Sequence, residues 1–204
     1  ANAAEPWYLP DVSNLPKIPI EHPQSSNGPF LPYVRNEQTL ARPWAIPGTA
    51  GLEHRIGGVE KADRTGGVSY DPVNHHKMVT LRREKVNRIA HSIPPLEILG
   101  PKKGKLLVLG WGSTYGPIHA ADTQLQKDGK QDSACHLHHL NPFPKNLTEI
   151  LKPFETILIP ENNMGQLLLL IRGAFEGIHA VGLNKIKGQP FKIREIREKI
   201  EELL

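Results

Sequence analysis

From Leu106 onward, apolar runs recur along the chain at regular intervals, separated by polar and turn-forming residues. The first, Leu106-Leu107-Val108-Leu109, is apolar at successive positions, the pattern of a strand covered by helices on both faces. It breaks at Gly110-Trp111-Gly112-Ser113-Thr114-Tyr115-Gly116, and a helix is predicted from Pro117, with Ile118, Ala121 and Leu125 on one face and Lys127-Asp128-Gly129-Lys130 as its end. A second strand is predicted over Ser133 to Leu140, stopped by Asn141-Pro142-Phe143-Pro144. A short helix, Asn146 to Leu151, leads to a third strand at Thr156 to Ile159. After Pro160-Glu161-Asn162-Asn163 a helix is expected from Met164 to Phe175. Five consecutive apolar residues, Leu167 to Ile171, make it apolar all round, so it is expected to be buried on two sides, one of them a candidate subunit interface. A fourth strand at Ile178 to Leu183 and a last helix striped by Ile193, Ile196, Ile200 and Leu203 complete the pattern. Strands alternating with helices predict an α/β domain with a mostly parallel sheet and right-handed crossovers.

Upstream the pattern differs. Nine of the 19 prolines precede residue 50, and the apolar runs there are very short. We read residues 1–70 as an extended proline-rich arm, 71–95 as a connecting helix and 96–204 as the α/β domain. The helix, centred on 75–93, carries Met78, Leu81, Val86, Ile89 and Ile93 at helical spacing; Asp71 or Asn74 can cap it and Pro94-Pro95 stops it. Leu96-Glu97-Ile98-Leu99 reads as a short edge strand. The arm holds Trp7, Tyr8, Phe30, Tyr33 and Trp44, which need a surface to pack on, within this domain or on another. With no initiator methionine and an opening of Ala1-Asn2-Ala3-Ala4-Glu5-Pro6-Trp7, the chain reads as a piece of a longer one.

Composition narrows the classes. The formal charge is +4, from 25 basic and 21 acidic residues, which is a solvated surface and not a nucleic-acid footprint. Arg82, Arg83, Lys85 and Arg88 alternate with apolar residues as the wet face of an amphipathic helix. The single cysteine, Cys135, excludes an internal disulfide and an iron–sulfur cluster held by this chain's thiolates alone. No apolar stretch approaches the roughly 20 residues of a membrane span, and no signal pattern opens the chain, so no membrane partner is expected and cytoplasm is the default location.

The candidate chemistry is sparse. A dinucleotide fingerprint needs a third glycine where Tyr115 stands and an acid where the second strand ends in His139, so the glycine turn does not meet it. Gly112, Ser113 and Thr114 at the start of a helix form a candidate anion-binding turn. His136 and His138 share a strand face that His139 opposes, a weak metal set without a carboxylate or thiolate beside it. Glu161, at a strand end, is a general base, a bond acceptor for a neighbouring chain or a cap for the helix that follows. No catalytic, cofactor-binding or metal-binding set is complete.

The segments Ala41-Arg42-Pro43-Trp44-Ala45-Ile46-Pro47-Gly48-Thr49-Ala50-Gly51-Leu52-Glu53-His54-Arg55-Ile56-Gly57-Gly58, Ser69-Tyr70-Asp71-Pro72, Gly110 to Gly116, His139 to Pro144, Pro160 to Gln166 and Gly182 to Phe191 resemble the alpha subunit of 2-oxoglutarate:ferredoxin oxidoreductase, of the 2-oxoacid:acceptor oxidoreductase family. The likeness covers essentially the whole chain in order, and corresponds to the C-terminal third of that subunit. It implies a transketolase C-terminal-like domain: three α/β/α layers and a five-stranded, mostly parallel sheet with one antiparallel strand, for which Leu96 to Leu99 is the candidate. It further implies missing N-terminal domains of the alpha subunit, including a pyrimidine-binding domain from which Glu5-Pro6-Trp7 would exit, a beta-subunit partner and ferredoxin as acceptor. The implied reaction is oxidative decarboxylation of a 2-oxoacid with coenzyme A to acyl-CoA and carbon dioxide. Thiamine diphosphate, magnesium and the iron–sulfur cluster would then be held outside this chain, which would serve assembly and be inactive alone. A homodimer is a further possibility, and a free-standing small-anion or nucleotide-binding module is the alternative reading.

Overall fold

The computed structural model of the chain describes residues 11–15, 17–18, 20–23 and 28–204. Trp7, Tyr8 and the Glu5-Pro6-Trp7 segment lie outside the described residues. Two compact units are present, one within Pro10–Ser92 and one containing Ile93–Leu204.

The first unit has one long helix, α1 (Pro72–Arg88), continued by a 3-10 turn at Ile89–His91. Asp71 is its N-cap, accepting from the amides of Val73 and Asn74, and Pro72 occupies the first turn, where a missing amide leaves nothing unbonded. Of the predicted apolar stripe only Met78 is buried, and Ile89 is exposed. The arm has single bridges at Tyr33↔Arg64 and Lys61↔Val68 in place of strands. It is held to the helix by polar contacts: Arg88 donates to the carbonyls of Glu37 and Gln38, Asn74 donates to the Lys61 carbonyl, and Asp63 pairs with Arg35 and Lys77. Leu40 and Leu52 are its buried anchors, while Trp44 stays exposed.

The second unit is the predicted α/β domain. Its strands are β1 (Gly104–Trp111), β2 (Ser133–Leu137), β3 (Phe154–Glu161) and β4 (Ala180–Asn184), and its helices α2 (Tyr115–Lys127), α3 (Leu147–Leu151), α4 (Gln166–Ala174) and α5 (Ile193–Leu203). The sheet order is β2-β1-β3-β4 and every pair is parallel. Residues of β1 alternate between two cores. Leu107 and Leu109 pack with α3 and α4, whereas Leu106 and Val108 pack with Ile118, Ala121 and Leu125 of α2 and Ile196 and Ile200 of α5. Burial on both faces is why the β1 run carries no alternation of polar residues.

Several boundaries move. A 3-10 turn fills Gly112–Thr114 and α2 starts at Tyr115, so Pro117 is its third residue and not its first; its missing amide is still among those with no intrahelical acceptor. β2 ends at Leu137, leaving His138 and His139 beyond the strand. The described sheet has four strands. Leu99 contributes a single antiparallel bridge to Ala134, with reciprocal backbone bonds of 2.8 and 2.9 Å, and 96–99 forms no strand of its own. Helix α4 is not buried on two sides: Leu167 and Ile171 are buried, but Leu169 is 69% exposed and Leu170 49%. Five apolar residues in a row go all round a helix, and only one face of this one meets the sheet.

Candidate functional site

The strand order reverses between β1 and β3, and in parallel sheets that switch point opens the crevice where ligands sit, beyond the carboxyl ends of the strands. Here β1 ends at Trp111 and β3 at Glu161. The Trp111 indole N–H donates to Glu161 Oε1 at 3.2 Å, across the opening. Glu161 is fully buried and accepts three more bonds, from Asn163 Nδ2 at 3.1 Å and from the Leu167 and Leu168 amides at 2.8 and 3.1 Å. Asn163 Oδ1 accepts from the amides of Gly165 and Gln166 at 2.7 and 3.1 Å. The leading amides of α4 are thus all satisfied from within, and the carboxylate sits at the positive end of the helix dipole. Of the roles open to Glu161 the structure realises the cap.

On the β1 side, Thr114 is buried; its hydroxyl donates to the Trp111 carbonyl at 2.9 Å and accepts from the Trp111 amide at 3.2 Å. Gly112 takes φ +57, a backbone that favours glycine, whereas a Cβ on Gly110 would lie 2.6 Å from Ile118 Cδ1 and 2.9 Å from His136 Nδ1. The glycines of this turn therefore serve a tight bend and close packing. Gly112, Ser113 and Thr114, the candidate anion-binding turn, form the 3-10 turn itself, and the Thr114 hydroxyl is engaged by Trp111.

The histidines lie beside the sheet's β2 edge. His136, His138 and His139 line a cavity of about 510 Å³ with Tyr115, His119 and Cys135, walled on its other side by the 93–99 segment. The His136 ring is 5.3 Å from His138 and 5.2 Å from Tyr115, both edge-on. Burial, and after it the His138 charge, lower His136 to about 4 against an opposing pull from the Gly112 backbone. It is neutral at physiological pH. Among the described residues no group of three His, Cys, Asp or Glu is placed to hold a metal ion. Cys135 is buried, and burial pushes its thiol up to about 12, far from the thiolate that a cluster requires.

Two constellations escape a reading of residue types and spacing. Asp122 and Asp132 are both fully buried. Gln126 Nε2 donates to both oxygens of Asp122 at 3.1 Å, while the Asp132 carboxyl faces Asp122 and has no other side-chain partner. Burial and then the facing carboxylate raise Asp122 to about 7, and burial raises Asp132 as well. The signal was present: 122 falls between 121 and 125 on the apolar face of α2. The second is the cluster of Glu60, Lys61 and Arg82 in the first unit, which nothing local in the sequence announces.

No family model matches the chain. It is 46% identical over 198 residues to the 2-oxoglutarate oxidoreductase subunit KorA of Mycobacterium tuberculosis, covering 96% of this chain and 30% of that protein. It is 28% identical to the alpha subunit of 2-oxoacid:ferredoxin oxidoreductase 2 of Aeropyrum pernix, covering 92% of this chain and 30% of that subunit. Among solved structures, the 2-oxoglutarate:ferredoxin oxidoreductase of Magnetococcus marinus, with 2-oxoglutarate, coenzyme A and succinyl-CoA bound, superposes with a TM-score of 0.78 at 26% identity, over 88% of this chain and 32% of that one. The chain spans about 30% of the length of the curated relatives it matches. Over nearly its whole length the chain is therefore similar to one part of the alpha subunits of the 2-oxoacid:ferredoxin oxidoreductases.

Proposed function

We propose that the chain is the C-terminal accessory and assembly domain of the alpha subunit of a thiamine-diphosphate-dependent 2-oxoacid:ferredoxin oxidoreductase acting on 2-oxoglutarate. The observation that carries this reading is the 46% identity to KorA over 96% of the chain. The complete enzyme would convert a 2-oxoacid and coenzyme A to acyl-CoA and carbon dioxide and pass electrons to ferredoxin, in the cytoplasm. In this reading residues 1–70 and the helix within 71–95 join the α/β domain, 96–204, to the missing N-terminal domains of the alpha subunit. Leu96–Leu99 would become the fifth, antiparallel strand of the sheet when assembled, a role its paired bonds to Ala134 support.

The side chains at the switch point do not fit a thiamine diphosphate, magnesium or cluster site. Glu161 has its oxygens committed to Trp111, Asn163 and α4, the nearby histidine is neutral, and the one thiol is held protonated by burial. Those groups would be held by the beta subunit and the rest of the alpha subunit. What the chain offers them is surface, including the exposed Met164, Leu169 and Leu170 around α4, through which we propose contact with a neighbouring subunit or a second copy.

The test has two arms. The chain alone, given 2-oxoglutarate, coenzyme A and a dye acceptor, is expected to reduce nothing; turnover would overturn the assignment. Supplied in trans to the beta subunit and an alpha subunit lacking this region, it should restore complex formation and dye reduction, and failure to bind either would equally refute it.

A further inference from the structure

The first unit holds a polar cavity of about 340 Å³ lined by Tyr33, Ile56, Gly58, Glu60, Lys61 and Arg82, along with Val59. Lys61 is only 4% exposed. Its ammonium donates to the carbonyls of Gly57 and Val59 at 2.5 and 2.8 Å, which are dipoles and not counter-charges. The acids nearby are engaged elsewhere. Glu60 is shared by Arg82 at 3.1 Å and His75 at 2.6 Å, and these partners hold its carboxyl down to about 2; Asp63 is shared by Arg35 and Lys77. The Arg42 guanidinium lies 4.4 Å from the Tyr33 ring centroid, with no acidic partner among the described residues. The walls therefore carry more positive than negative charge, and the cation with the least access to water is the one without a carboxylate.

A buried ammonium lacking a counter-ion retains much of its desolvation cost, and an oxyanion beside it recovers that cost through charge-assisted bonds. The backbone keeps the approach open. Gly58 has φ +87, and a Cβ there would meet Lys61 Nζ at 3.8 Å with nothing else nearby. Only glycine holds this loop without strain and without a side chain over the ammonium.

We propose that this cavity is a binding site for a small oxyanion, a carboxylate or a phosphate, seated on the Lys61 ammonium with the Tyr33 ring and Arg82 as its walls. Neither the sheet's switch point nor the enzymatic assignment enters this inference.

The test is amide NMR of the chain titrated separately with sodium phosphate, sodium malonate and, at matched ionic strength, sodium chloride. Saturating shifts at Gly58, Val59 and Lys61 are expected with phosphate or malonate and not with chloride; the anion that saturates at the lower concentration identifies which class the site takes. Lys61→Met is expected to weaken binding about tenfold or more, the loss of one charge-assisted hydrogen bond. Because Lys61 also ties down the 57–59 loop, Gly58→Ala and Arg82→Gln provide independent readings. The first strains the φ +87 backbone and sets a methyl beside the ammonium, and the second removes a positive charge from the wall; each should weaken binding several-fold. Unmoved amides, shifts equal to those with chloride, or undiminished binding in all folded variants would overturn the proposal.

Discussion

The Asp122–Asp132 pair makes the stability of this chain depend on pH in the direction opposite to most carboxylates. Asp122→Asn is the informative perturbation. In the native protein one proton is shared between two fully buried carboxyls, and Asp122 is raised from 3.8 to about 7. Between those values the folded chain holds a proton that the unfolded chain has released, so unfolding free energy falls as pH rises. The stabilisation is complete below the unfolded value and gone once pH passes the folded one. A shift of this size corresponds to roughly 4 kcal/mol if fully expressed, and to roughly 2 kcal/mol after relaxation of the surroundings. Over the part of the window between pH 5 and 8, a loss of about 1 kcal/mol is expected for the wild type. The new amide can donate to Asp132 and accept from Gln126 without a proton to lose, so the variant, with only Asp132 left raised by burial, should lose less stability than wild type over the same range and be more stable than wild type at pH 8. Urea unfolding followed by tryptophan fluorescence at pH 5, 6, 7 and 8 measures both slopes. A wild type as flat as the variant, or a variant less stable than wild type at pH 8, would refute the shared proton.

Three other outcomes follow from the packing. Glu161→Ala leaves the Trp111 and Asn163 donors and two α4 amides without their acceptor, and should cost about 2–3 kcal/mol in urea unfolding, with Glu161→Gln costing less. Gly110→Ala forces a methyl within 2.6 Å of Ile118 and is expected to destabilise by about 1–3 kcal/mol by the same measurement. Cys135, held as a thiol by burial, should be unreactive to a disulfide reagent at pH 8 in the folded chain and react fully in denaturant; prompt reaction without denaturant would contradict its placement.

The layers of the α/β unit were legible because β1 and β3 are buried on both faces and α5 on one, and burial leaves a periodic trace. The α4 stripe misled for a related reason. Periodicity shows which residues are able to be buried, not how many neighbours are there to cover them, so Leu169 and Leu170 read as core. Helix α1 misled in the same way, since Met78 alone of its stripe is buried and the arm is held by ion pairs and carbonyl bonds. Those contacts join residues such as Glu37 and Arg88 that are far apart in sequence, and residue spacing carries no record of them. Glu161 was visible as a cap or a base. Choosing between the two needed Trp111, which approaches from another strand.

The Glu161 lock also constrains how the α/β unit can change. Trp111, Asn163 and the α4 amides each depend on the same carboxylate, so altering any one leaves a buried polar group bare, and a new ligand pocket at the switch point would require several simultaneous replacements. Single steps toward such a pocket pass through less stable intermediates. The mouth of the sheet should therefore stay fixed among relatives, while variation accumulates at exposed polar positions that share no such partner.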